Sequence, residues 1–238
     1  MGVVREETIG DCRLIQADCL EVLPTLEGVD AVVTDPPYGV RYSSGYATFA
    51  LWKGDRYIRN DDGITVRDAV AEWSAGRPSL LFGSWRARRP DKTRMVLIWD
   101  KGGALGMGDL SLPWKPDHEE IYVLGKGFVG ARDSGSVLRC PPVQSMARNG
   151  RKHPTEKPVA LMQRLVKKVP GTVLDPFMGS GTTGVACAKL GRRFIGIEVD
   201  SGYYKIACER IREAYRQPDM FTQPAARKAE QMDIEGLK

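Results

Sequence analysis

The chain has 238 residues, 42% hydrophobic and 27% charged. That balance suits one sizeable globular core and argues against a disordered or fibrous protein. Nowhere do about 18 apolar residues run together, and the opening MGVVREETIG has no apolar stretch of the signal-peptide kind; we expect neither membrane insertion nor secretion, and place the chain in the cytoplasm. The formal charge of +5 permits a polyanionic partner without demanding one.

In chain order, short apolar runs alternate with helical patterns. Residues 13–16 and 30–34 read as buried strands, the second running straight into Asp35-Pro36-Pro37-Tyr38. A loop-like stretch rich in Tyr, Ser, Gly and Asp covers 39–63, followed by a helix over 65–73 and strands at 80–82, 95–99 and 121–124. Residues 126–154 are again loop-like, rich in Gly, Pro and Arg. Then come a helix over 159–169, a strand at 173–174, a helix over 183–190, a strand at 194–197 and a helix over 203–215. In this last helix Tyr204, Ala207, Cys208 and Ile211 recur at three-to-four spacing. The alternation predicts an α/β fold with a mostly parallel, doubly wound sheet covered on both faces. We expect one domain over 1–215, with an insertion within about 40–152 and a loosely attached tail at 216–238.

Five cysteines, Cys12, Cys19, Cys140, Cys187 and Cys208, are odd in number and never spaced Cys-x-x-Cys, so they are expected as reduced thiols rather than disulfides or zinc ligands. His118 and His153 are the only histidines, too few for a metal-binding cluster. Carboxylates, backbone groups or an organic cofactor must then carry the chemistry.

Residues 172–183, TVLDPFMGSGTT, form a strand ending in Asp175 and a glycine-rich turn that opens a helix. Glycines there let a ligand approach the backbone, beside the positive end of the helix. A glycine-rich turn is often only a tight connection, but Asp175 would repel phosphate and favour an ammonium group. Glu198 closes the next strand, FIGIE, where a carboxylate can accept both hydroxyls of a ribose. In the Asp35-Pro36-Pro37-Tyr38 turn, two prolines remove N–H donors and present carbonyl acceptors. Asp35 and the Pro36 carbonyl can each accept one N–H of an exocyclic amine, and Tyr38 offers a face on which a base stacks, worth about 1–3 kcal/mol.

These motifs, in this order, resemble those of the permuted β class of amino-group DNA methyltransferases, whose members turn S-adenosylmethionine and a flipped base into a methylated amino group by direct displacement. The resemblance implies a Rossmann-like methyltransferase fold. It implies that Asp175 and the turn Phe177, Gly179, Ser180, Gly181, Thr182 hold the methionine part of the cofactor, and Glu198 its ribose. It also assigns Asp18 to the cofactor's adenine, and His153, Thr155 and Lys157, in HPTEKP, to the segment leading the helix that closes over the cofactor. Asp35, Pro36, Pro37 and Tyr38 become the catalytic turn. Asp at the first position is mostly found in adenine-N6 enzymes, Ser in cytosine-N4 enzymes, and Asn in RNA- and glutamine-methylating relatives. Adenine is therefore expected, with cytosine-N4, then RNA or a protein amide, as alternatives, and a catalytically dead DNA-binding protein as the rival from another class.

Between the motifs, residues 85–101 and 130–153 each carry a net +4. Arg132, Arg139, Arg148, Arg151 and Lys152 lie in the second stretch and are expected to meet duplex DNA. The resemblance places target recognition in this middle third, short enough that either a short site is read or a homodimer adds contacts.

Overall fold

The computed structural model describes residues 2–37, 63–103, 111–143 and 156–216. Nine strands among them form one sheet in the order β1-β2-β9-β8-β3-β4-β6-β5-β7. These are β1 (Arg5–Ile9), β2 (Cys12–Gln16), β3 (Ala31–Thr34), β4 (Ser79–Gly83), β5 (Met95–Asp100), β6 (His118–Leu124), β7 (Val137–Arg139), β8 (Val173–Asp175) and β9 (Phe194–Glu198). The block β2-β9-β8-β3-β4 is parallel throughout. Only β1 and β6 run against it, since β6 is antiparallel to both β4 and β5, and β7 follows β5. All four residues of β3 and all five of β4 are buried, as expected for central strands covered on both faces.

The helices are α1 (Cys19–Val22), α2 (Thr65–Trp73), α3 (Val159–Val166), α4 (Thr182–Lys189) and α5 (Ser201–Arg216). Alternation along each strand sends side chains to two cores. Leu14, Val33, Val173 and Phe194 pack with α3, α4 and α5, while Ile15, Val32, Leu174 and Ile195 pack with α1 and α2. In α5 the face predicted from its spacing, Tyr204, Ala207, Cys208 and Ile211, is buried. Gly184 lets α4 come down onto β9 and α5: a Cβ there would lie 2.5 Å from Ile211 Cδ1 and 2.8 Å from Phe194 Cε1.

Two strands and one short helix depart from the expectation. β1 has a charged, exposed pattern because it is an edge strand pairing only with β2, so it carries no apolar run. β7 forms within the stretch read as loop, because three residues suffice to extend the sheet beside β5. α1 is a single turn capped by Asp18. Arg216, expected to open the tail, is the last residue of α5, and residues 217–238 lie outside the described set. Among the described residues no helix is long and apolar enough to cross a membrane, and all five cysteines are buried and unbridged.

Candidate active site

Sheet order alone places the site. From β3 the chain proceeds through α2 to β4 on one side, and from β8 through α4 to β9 on the other, so the winding reverses between β3 and β8. Such a switch point opens a crevice at the carboxyl ends of the strands, where α/β sheets bind ligands. Asp35 follows β3 there and Asp175 ends β8 beside it. Thr34 Oγ1 joins the two turns by donating to Asp175 Oδ1 at 2.6 Å.

Asp175 is buried, and among the described residues its oxygens accept from neutral donors: Thr34, the Thr183 hydroxyl at 2.6 Å and the Phe177 N–H at 3.1 Å. Burial pushes its carboxyl up to about 6 despite these bonds. Glu198 closes β9 and accepts the N–H of Gly179 at 2.9 Å and of Asp200 at 2.8 Å. Burial again dominates and pushes it up to about 7. The Gly179 bond fastens the glycine-rich turn to the neighbouring strand end. Gly181 has φ +81°, the left-handed region, and a Cβ on it would lie 2.8 Å from Ala207 Cβ. Ser180 and Thr182 turn their hydroxyls to Arg210 of α5, whose guanidinium donates to Ser180 Oγ at 2.7 Å, to Thr182 Oγ1 at 3.3 Å and to Glu156. Asp18 also stands at this edge, beyond β2, where its Oδ1 accepts the Leu20 N–H at 2.9 Å as a helix cap.

Asp35 lies in different surroundings. Pro36 and Pro37 behind it are buried, and Lys157 donates to Asp35 Oδ2 at 2.6 Å. Lys157 comes from the residue before Pro158, the cap of α3, and its ammonium also sits 3.1 Å from Glu119 Oε2 on β6. Its ammonium thus meets the turn of Asp35. Tyr38, His153, Thr155, Arg148, Arg151 and Lys152 lie outside the described residues.

Of the two described arginines expected at DNA, Arg139 ends β7 opposite Asp100 and is three-quarters exposed at the same carboxyl edge as Asp35. Arg132 is elsewhere. It belongs to a segment held at the other end of the sheet by Lys168, which donates to the Ala131 carbonyl and to Asp133, and by the Val129 N–H on the Lys168 carbonyl. Trp85 and Arg86, by contrast, follow β4 at the carboxyl edge and are exposed, with the guanidinium 5.1 Å from the centre of the indole ring. Glu119, Thr34, Thr183 and Arg210 were not anticipated. An acidic pair, Glu119-Glu120, at the head of the apolar run 121–124 was the available signal for the first.

The family model described as DNA methylase, N6_N4_Mtase, matches residues 84–209. The chain belongs to this DNA methylase family. The Type II methyltransferase M2.DpnII of Streptococcus pneumoniae is 52% identical over 237 residues, covering 83% of this chain and 88% of the relative. M2.LlaDCHI of Lactococcus lactis subsp. cremoris, also a Type II methyltransferase, is 37% identical over 238 residues, with the same coverage of both chains. The methylase also shares its fold with the solved M1.HpyAVI-SAM complex, at TM-score 0.57 and 24% identity over 84% of this chain and 99% of the other.

Proposed function

We propose that this methylase transfers a methyl group from S-adenosylmethionine to the N6 amino group of adenine in duplex DNA, acting on a base turned out of the helix. The observation that carries this reading is the adjacency of two unlike turns at the switch point, tied by the Thr34–Asp175 hydrogen bond of 2.6 Å.

The residues present fit the methyl donor. Asp175 and Glu198 are two buried carboxylates at neighbouring strand ends, their charge unmatched by any described ion pair, and both are pushed up by burial; a cationic, hydroxyl-bearing ligand relieves that penalty. Asp175 and the Phe177–Gly181 stretch would hold the amino-acid end and Glu198 the ribose. When bound, S-adenosylmethionine supplies a methyl group on a sulfonium.

Asp35 and the Pro36 carbonyl accept the two N–H groups of the target amine and so aim its lone pair, a gain of orientation. An amine conjugated with its ring is a weak nucleophile, and the Asp35 carboxylate stabilises the positive charge that grows on nitrogen as the N–C bond forms. Tyr38 stacks on the base. Arg139 and the exposed Trp85–Arg86 pair stand on the edge that faces the duplex. A short recognition region suits a short target, with a second copy of the chain as the means of lengthening it. The cytoplasm suits both the DNA substrate and the five unbridged cysteines.

The test is incubation with methyl-labelled S-adenosylmethionine and mixed-sequence unmethylated DNA, then digestion and nucleoside identification. Label in N6-methyladenine is the expected result. Label in N4-methylcytosine would overturn the base assignment, and absence of label from DNA would overturn the substrate.

A further inference from the structure

We propose that Lys157 and Glu119 are positioning residues for Asp35, joined in a chain of alternating charge that runs Lys101–Glu119–Lys157–Asp35. The proposal rests on the reading of Asp35 as acceptor of the target amine.

The geometry is continuous. Lys101 Nζ lies 2.7 Å from Glu119 Oε1, Glu119 Oε2 lies 3.1 Å from Lys157 Nζ, and Lys157 Nζ lies 2.6 Å from Asp35 Oδ2. Four separate elements contribute: the residue after β5, β6, the residue leading into α3, and the turn after β3. Lys157 is 5% exposed. Its ammonium lies 4.9 Å from the centre of the Phe82 ring and 5.9 Å from that of Trp99, so aromatic faces replace much of its water. Burial alone would strip the proton from such a lysine, but Asp35 and Glu119 outweigh burial and hold the group above the ordinary lysine range. Burial would likewise push Glu119 up, and the two lysines together bring it below the ordinary carboxylate range.

Each member has a distinct task. Lys157 fixes the rotamer of Asp35 through Oδ2 and favours its ionised form, while a carboxylate has lone-pair sites enough to accept the amine as well. An unbalanced ammonium at this distance would also oppose the positive charge growing on the substrate nitrogen. Glu119 offsets it, so Asp35 retains its power to stabilise that charge. Among the described residues, Asp35 is acted on by Lys157 ahead of α3, by Glu119 on β6 through that lysine, and by Asp175 of β8, which interacts with it electrostatically. The sequence pattern gave no hint of the pairing, because Glu119 and Lys157 are 38 positions apart.

The experiment is the pH profile of single-turnover methylation of duplex DNA, at saturating S-adenosylmethionine, for Lys157→Met and the isosteric Glu119→Gln, with donor affinity measured in parallel. Lys157→Met should lower the rate constant about 10²-fold and move the acid limb of its profile up by about one pH unit, because Asp35 loses its cation. Glu119→Gln should lower it about tenfold and move the limb the opposite way, because the positive charge of Lys157 then bears more strongly on Asp35. Donor affinity should stay within about threefold in both, and the double variant should lose less than the product of the single losses. A merely structural contact would shift neither limb, so acid limbs that stay in place or move together in Glu119→Gln and any folded Lys157→Met protein overturn the proposal. If Asp35→Ala keeps full activity, the underlying reading of Asp35 fails instead.

Discussion

The two turns that meet at the switch point are both built on a carboxylate at a strand end, yet their charge balance is opposite. After β8 and β9, the partners of Asp175 and Glu198 among the described residues are hydroxyls and N–H groups. After β3, Asp35 is matched by Lys157, and Glu119 by Lys157 and Lys101. The first side has no described counter-cation, so its ionised form favours a cationic ligand, whereas the second is balanced among the described residues and suits a neutral amine. On the proposed reading, one crevice would separate a cationic methyl donor from a neutral base by electrostatics.

The largest effect should come from the balanced side. Asp35→Ala removes the acceptor of the target amine, and single-turnover methylation of DNA should fall by about 10³-fold or more. Retention of the wild-type rate would remove the distinction between the turns.

The anionic side should respond to pH. Asp175 at about 6 and Glu198 at about 7 are raised above their unfolded values by burial, so in the donor-free protein their share of stability is present at acid pH and lost as pH rises through 6 and 7. A cationic donor reverses the preference, since both groups must ionise to receive it. Calorimetric donor affinity should therefore weaken about 10³-fold from pH 8 to pH 5. A flat profile would mean that these carboxylates do not meet the donor's charge.

A smaller contrast concerns the duplex. Arg139→Ala should weaken DNA binding about fivefold in a fluorescence titration, in keeping with one phosphate or base contact, while Arg132→Ala, at the far end of the sheet, should leave it unchanged. Equal losses would place the DNA across both ends.

Much of this was legible in the sequence. Buried parallel strands announce themselves as apolar runs, and β3, β4, β8 and β9 were readable for that reason. Asp35, Asp175 and Glu198 were legible because each ends such a run. β1 and β7 were not, since an edge strand needs no apolar face and a three-residue strand leaves no period to detect. The neighbours of Lys157 in sequence point to the cofactor; Asp35, in the turn after β3, and Glu119, on β6, are its partners among those described, and no local pattern encodes contacts so distant in the chain. The same limit hid Thr34, whose hydroxyl is an ordinary β-strand side chain until β8 is placed beside it.

The division of labour between the two turns is tested most directly by titrating S-adenosylmethionine into Asp35→Ala and Asp175→Asn side by side in a calorimeter. Asp35→Ala should bind the donor within about threefold of the unaltered protein, and Asp175→Asn, which keeps the shape and loses the charge, should bind about 10²-fold more weakly. Donor binding lost in Asp35→Ala and retained in Asp175→Asn would contradict the account.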